Sequence, residues 1–447
     1  MRKSLVVACL IGVLVFCSSE AFSAGKITLK TIGLGEGWLT NLENRLPEFK
    51  AKTGIDVVIE KAQYYDVHTK IVLDLTQKKE KPDYDFYFMD IPWKAEFATT
   101  GQLLDLTDLA TPSYKINDID KTYLTAVGGW KGRILAYPIL SVTRFIFYRK
   151  DIFENPSVKT AFMKKMGREL RVPTSWEEFN ETAQYFTKSL NNDSPTLYGA
   201  AVAAQRGSRA LIEFDDRLFG LGGTEFNYDE AKDTWTPVVN TDVAKKALQL
   251  YIDAKPSAPP GSENADWDLS VRAFTSGDAA MMVMWDAFAG LVTDPKQSQV
   301  WNKVGYAVAP NGGAATLGGW GLCINKNSPH AKEAYQFLEW ATGPETAMKY
   351  TLDGPGAIPR KSVYSNPKIQ AKQPWIVAQQ GAIAVARGRS EAYRGGPTLI
   401  PEPQYEMILG TAVNAAFAGM GSPSDLLDKA NEDLKDMLVE AGYKVGE

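Results

Sequence analysis

Histidine and cysteine are scarce: the 447 residues contain 2 His and 3 Cys. A histidine zinc site or a Ser–His–Asp hydrolase would have to be assembled from His68 and His330, and neither stands in a supporting motif. The phosphate-cradling GxxxxGKS/T loop is absent. Gly33, Gly35 and Gly37 miss the GxGxxG spacing because Trp38 occupies the last position. An excess of charge of one sign is lacking too. Lys and Arg number 49 against 53 Asp and Glu, with no basic tract of the kind that follows a nucleic-acid backbone, so no nucleic-acid partner is expected. Past residue 16 no apolar run reaches the roughly 18–20 residues of a membrane helix. Internal repeats and low-complexity tracts are missing as well. No cofactor is expected. The paired carboxylates of a glycosidase leave no fixed spacing in sequence, so that one enzyme class stays open.

What is present begins with an export signal. Arg2 and Lys3 precede an apolar run over 5–16, and Ser19, Ala21, Ser23 and Ala24 offer small residues for cleavage. Removal of residues 1–24 is expected. Cys17 follows Phe16, where a lipid-anchor site needs a small residue, so anchoring through Cys17 is not expected. Cys9 and Cys17 would leave with the leader. The remaining Cys323, between Leu322 and Ile324, reads as a quiet buried thiol. Roughly 420 residues remain, enough for two domains.

Along that length, strand and helix alternate. Apolar β-prone stretches at 27–32, 55–59 and 86–89 are separated by helical spacing over 39–52, with Pro47 awkwardly inside it, and over 66–78; a short helix at 92–100 follows. This order predicts βαβ units and a mainly parallel sheet, in which ligands collect at the strand ends. Residues 129–132 read as a hairpin turn and 144–148 as a long strand. Thr174, with Glu177 three residues on, marks a helix start. Helices are expected at 176–189, 242–253, 331–342 and 424–441, the last capped by Ser424, and buried strands at 281–285 and 319–325.

Six ordered segments resemble one known family: LPEFKAKTGIDVVIE, DYDFYFMDIPWKAEFATTGQLLDLTDL, GWKGRILAYPILSVTRFIFYRKDIFE, VPTSWEEFNETAQYFT, RAFTSGDAAMMVMWDAF and GGWGLCINKNSPHAKEAYQFLEWAT. Together they resemble the bacterial extracellular solute-binding proteins of the maltose-binding, sugar-importer type. A further stretch, AVAAQRGSRALIEFDDRLFGLGG, is similar to polyol and glycoside binders within that family. The resemblance implies an α/β, two-lobed periplasmic-binding-protein type II fold with chain crossovers. One lobe would hold 25–140 and 316–356, the other 141–315 and 357–447, with the ligand between them. It further implies a periplasmic monomer that binds a carbohydrate or polyol without turnover and passes it to the permease subunits of an ABC importer. A periplasmic carbohydrate-active hydrolase remains an alternative, as does the same fold with iron, a polyamine or a cofactor as cargo.

A polyhydroxylated ligand presents C–H patches to aromatic faces and hydroxyls to carboxylates, amides and guanidinium groups. Pairs of that kind occur at the expected strand ends. Asp90 with Trp93 is the first, where a helix cap and a core indole are the plainer roles. Trp285 with Asp286 ends one strand, and Trp320 lies between Gly319 and Gly321, whose missing side chains permit close approach. Arg144 serves either as a fork for hydroxyls or as a tie between lobes. Glu36 and Trp38 follow the first strand, and Tyr64 and Tyr65 the second. Arg206, Arg394 and Glu402 come from loops, where solvated charge is the ordinary role. Trp130, Trp176, Trp235, Trp267, Trp301, Trp340 and Trp375 are assigned to packing.

Overall fold

The computed structural model describes residues 26–77, 79–389, 391–399 and 402–446; the expected leader with Cys17, and the side chain of Glu402, lie outside them. The first expected strands form at Thr28–Leu34, Asp56–Ala62 and Phe86–Asp90. Pro47 corrects the helix expected over 39–52. The chain breaks into Gly37–Glu43 and Leu46–Thr53, with the proline in the first turn of the second piece, where its missing N–H is harmless. Two caps also shift. Ser175, not Thr174, accepts from the N–H of Glu178, and Ser422, not Ser424, caps the final helix Pro423–Glu440. Among the described residues no helix is long and apolar enough to cross a membrane.

One strand organises the molecule. Tyr137–Arg149 is thirteen residues long, and its two halves serve different neighbours. Its first half pairs with Thr316–Ile324. Its second half pairs with Ala279–Trp285 on one side and Val304–Val308 on the other. All three pairings are antiparallel, as is that of Thr316–Ile324 with Phe86–Asp90. The expectation of a mainly parallel sheet is therefore corrected. Parallel pairing survives between Thr28–Leu34 and Asp56–Ala62, and between Ala279–Trp285 and Tyr198–Ala201. A parallel neighbour needs a crossover, usually helical; the partners of the long strand arrive from distant chain segments running back along it.

Two hydrophobic cores flank this shared strand. The larger gathers Phe49, Phe86, Phe88, Phe337 and Leu338, and the other Phe179, Phe214, Leu248, Leu409 and Leu434. Within the strand, Phe145 and Phe147 point to the first core and Ile146 to the second, as the two-residue period of a strand requires. The larger core also takes in Trp375 and Ile383 from the helix Trp375–Ile383. Cys323 is buried in the strand beside Phe86–Asp90, and burial pushes its thiol up.

Candidate functional site

The strand Thr316–Ile324 pairs with both Phe86–Asp90 and the first half of the shared strand, and so links the candidate residues. Side chains two apart share a face, so Thr316, Gly318 and Trp320 line it in sequence. Each meets a different group of candidate residues.

At one end, the N–H and Oγ1 of Thr316 both donate to Oδ1 of Asp216, each at 2.9 Å. The other oxygen of Asp216 accepts from Nε of Arg144 at 2.6 Å. Arg144 donates as well to Glu213 at 2.6 Å and to the carbonyl of Val283 at 3.0 Å. Glu213 is held in turn by Arg217 at 3.1 Å. Arg144 is fully buried, and its guanidinium lies over the rings of Trp267 and Trp285, 4.8 and 5.4 Å from their centroids. Of the two expected roles, the geometry favours the tie: both partner carboxylates are already answered.

Gly318 makes room for Trp285. A Cβ on that glycine would stand 3.1 Å from the indole. Gly319 has a different purpose, since its Cβ would collide with the Leu140 carbonyl and the Tyr123 ring, both at 2.9 Å. Its missing side chain admits protein, not a ligand.

At the other end, Trp320 stands in register with Asp90 on the neighbouring strand. Its ring packs with Trp38 at 5.5 Å, Trp93 at 5.2 Å and Tyr64 at 6.1 Å. Trp93 packs also with Tyr64 at 4.8 Å and against His68 and Phe97, and is 1% exposed. Tyr65 is half exposed and meets Tyr64 edge-on. Nε1 of Trp38 donates to Glu36 at 3.0 Å. Asp90 has the expected cap role and is also held by side chains. One oxygen caps the turn Ile91–Trp93 by accepting from the N–H of Ile91 at 2.9 Å. The other accepts from the Tyr64 hydroxyl at 2.8 Å and pairs with Arg389 at 3.4 Å. Arg389 also pairs with Glu406, on the helix Glu402–Ala418.

The remaining expected residues are placed differently. Asp286 is fully buried and accepts from the Gln379 amide and, at 3.4 Å, from the N–H of Thr143. Gln379 reaches Ser141 as well, where Ala357 crosses the shared strand. Asp286 thus belongs to a polar knot at that crossing. Burial pushes its carboxyl well up. Arg394 donates to the carbonyls of Ile383 and Ala386 and to Thr122 Oγ1, so its guanidinium ties loop to helix end. Arg206 is exposed.

Sequence reading missed several residues that the fold brings to this place. Trp267, assigned to packing, sits edge-on to Trp285 at 6.3 Å, with Arg209 5.7 Å from its ring centroid. The carboxyl of Glu36 is pushed up by desolvation, eased by the Trp38 N–H, with Asp90 and Asp268 adding to the rise and Arg209 opposing it. Of Arg389 and Glu406, only the second left a signal in sequence: an acid directly before the mostly apolar stretch MILGTAVNAAFA. Among the described residues, no group of three or more His, Cys, Asp or Glu is arranged to hold a metal ion.

Asp90 yields a pH dependence. Burial lifts its carboxyl to about 6, against the lowering effect of Arg389, Tyr64 and the N–H of Ile91. An acid raised on folding is held ionised at a cost above that value, and the cost disappears as pH falls toward the ordinary carboxylate range. Ligand-free protein is expected to gain on the order of 1 kcal/mol from this group between pH 7.5 and 5.5. Melting curves of wild type and Asp90→Asn at both pH values test it: the gain should shrink in the variant, and an equal gain in both assigns the effect elsewhere.

Residues 36–348 match the family described as bacterial extracellular solute-binding protein. The chain is 22% identical over 402 residues to a probable amino-acid ABC transporter periplasmic-binding protein of Sinorhizobium fredii, covering 89% of this chain and 86% of that one. It is 26% identical over 338 residues to a mannitol-binding protein of Pseudomonas aeruginosa, covering 70% and 71%. Among solved structures it is similar to an ABC transporter solute-binding protein of Agrobacterium radiobacter in complex with ribitol. That match has 28% identity and a TM-score of 0.77, over 92% of this chain and 98% of the other. A solute-binding protein of Agrobacterium vitis with bound D-mannitol shares the two-lobed fold at 23% identity and a TM-score of 0.75, over 93% and 99%.

Proposed function

Because this chain belongs to the bacterial extracellular solute-binding proteins of ABC transporters, we propose that it works in the periplasm as a monomer. There it closes on a carbohydrate or polyol and presents it to the permease subunits of an ABC importer. The observation that carries the ligand class is the cradle of Trp38, Tyr64 and Trp320 beside Asp90 and Arg389, with Trp285 and Trp267 along the same strand. Indole faces accept the C–H side of a polyol, while carboxylate and guanidinium accept from and donate to adjacent hydroxyls. The named relatives that bind mannitol and ribitol support this class.

The lobes that move are residues 25–140 with 316–356 against 141–315 with 357–447, hinged where the shared strand passes between them. A ligand that touches both walls stabilises the closed arrangement, because only that arrangement makes both sets of contacts. Micromolar binding corresponds to about −8 kcal/mol, within reach of two stacked faces and several hydroxyl contacts. We read the site as one that holds its solute without converting it, in keeping with relatives that are transport-associated binding proteins.

A melting-temperature screen against erythritol, ribitol, D-mannitol, tagatose and maltose tests the reading. At a hundredfold excess over Kd the true class adds about 2.7 kcal/mol to stability by mass action. Absence of any shift across polyols and sugars overturns it. Chromatography of the best binder after long incubation checks turnover, and accumulation of product would make the protein an enzyme.

A further inference from the structure

At the polar end of the cleft the carboxyls outnumber the cations that answer them. Asp215, on the helix Ser208–Gly220, is fully buried, and neither of its oxygens has a hydrogen-bond partner. Glu225 and Asp216 add negative charge around it, and Arg389 and Arg387 are the cations that oppose them. Both guanidinium groups are already engaged. Arg389 pairs with Asp90 and Glu406. Arg387 donates to Thr224 Oγ1 at 2.6 Å and to the carbonyls of Glu391 and Ala392, and stands 3.8 Å from Glu225.

Two more acceptors stay open there. Oε2 of Glu225 and Oε2 of Glu406 are buried without a hydrogen-bond partner. Glu391, also buried, has Lys94 as its foremost cation. Among the described residues, the foremost cations set against Asp90, Asp215, Glu225, Glu391 and Glu406 are Lys94, Arg387 and Arg389. The neighbouring group is balanced one for one, Arg144 and Arg217 against Glu213 and Asp216.

A buried carboxyl with no partner is resolved by a proton or by a cation. Hydroxyls of a neutral polyol would satisfy the open oxygens but leave the unbalanced charge. An ammonium supplies three donors and the missing charge together. Resting on the proposed binding of a polyhydroxylated solute in this cleft, we propose that the preferred ligand is a polyhydroxylated amine, an amino-alditol or amino sugar. Its ammonium lies among Asp215, Glu225 and Glu406, and its hydroxyls lie toward Asp90, Arg389 and the Trp320 cradle. Burial pushes the carboxyls of Asp215 and Glu225 up, the direction a cation placed beside them would reverse.

Titration calorimetry at pH 7.5 with matched probes tests this. Ribitol, D-mannitol and D-glucitol are each compared with their 1-amino-1-deoxy counterparts, and D-gluconate serves as the anionic control. The amine is expected to bind at least tenfold tighter than its parent, with gluconate weakest. In Asp215→Asn the advantage should fall below threefold; Glu406→Gln is the second variant should the first not fold. A neutral polyol that binds as tightly as its amine overturns the inference and leaves the proposed function standing. If no polyol, sugar or amine binds, the proposed function itself falls.

Discussion

Arg144→Met is expected to destabilise the fold by about 3–5 kcal/mol, the scale set by breaking a buried ion pair from one side. Asp216 and Glu213 are 0% and 3% exposed, so neither can turn to water for compensation. Glu213 keeps Arg217, whereas Asp216 keeps only Thr316. The methionine fills volume between Trp267 and Trp285 but forfeits the charge that faces both rings. Urea unfolding reads the effect as a lowered midpoint at unchanged slope. A compensating Arg144→Met, Asp216→Leu double variant should recover part of the loss, because it removes the orphaned carboxylate along with its partner. An unshifted midpoint in the single variant would show that Arg144 is not the tie described above, and would return it to the list of ligand donors.

Trp320→Ala carries the second large effect, this time on binding. The indole sits among Trp38, Trp93 and Tyr64 and stands in register with Asp90, so its loss removes the centre of the proposed cradle. Affinity for the best solute is expected to fall by about 2–3 kcal/mol, the range of a hot-spot aromatic. Melting should also drop, since a large side chain leaves a cavity in a tightly packed place. Trp320→Phe separates the two effects by keeping a stacking face in smaller volume. Trp93→Ala is the contrast: its ring is also packed against His68 and Phe97, so stability should suffer more than affinity. Calorimetry on folded protein decides. Binding of Trp320→Ala within threefold of wild type would move the ligand away from this strand.

The comparison of Asp90 with Arg144 and Asp286 explains what could be foreseen at residue level. The cap role of Asp90 was legible because a strand end followed by Ile-Pro-Trp places a polar cap and an indole within one turn, a purely local arrangement. Arg144 and Asp286 looked equally suitable by the same local logic. Their partners, Asp216, Glu213 and Gln379, lie 69 to 93 residues away in the chain, and no local pattern announces whether a charge is already answered. Trp267 packs against the larger core as expected, but the approach of Arg144, Arg209 and Trp285 to its ring could not be read from the start of a helix. Arg389 and Glu406 escaped notice for the same reason.

By itself the chain determined what depends on near neighbours: the periods that make its strands and helices, the turns at its glycines, and the missing GxxxxGKS/T motif. The tertiary structure alone decided the antiparallel partners of Tyr137–Arg149, the division of its side chains between two cores, and which charges are tied and which stay open. The physical reason is range. Backbone preference and side-chain period act over a few residues, whereas desolvation and ion pairing depend on every group that folding brings within a few ångströms, whatever its distance along the chain.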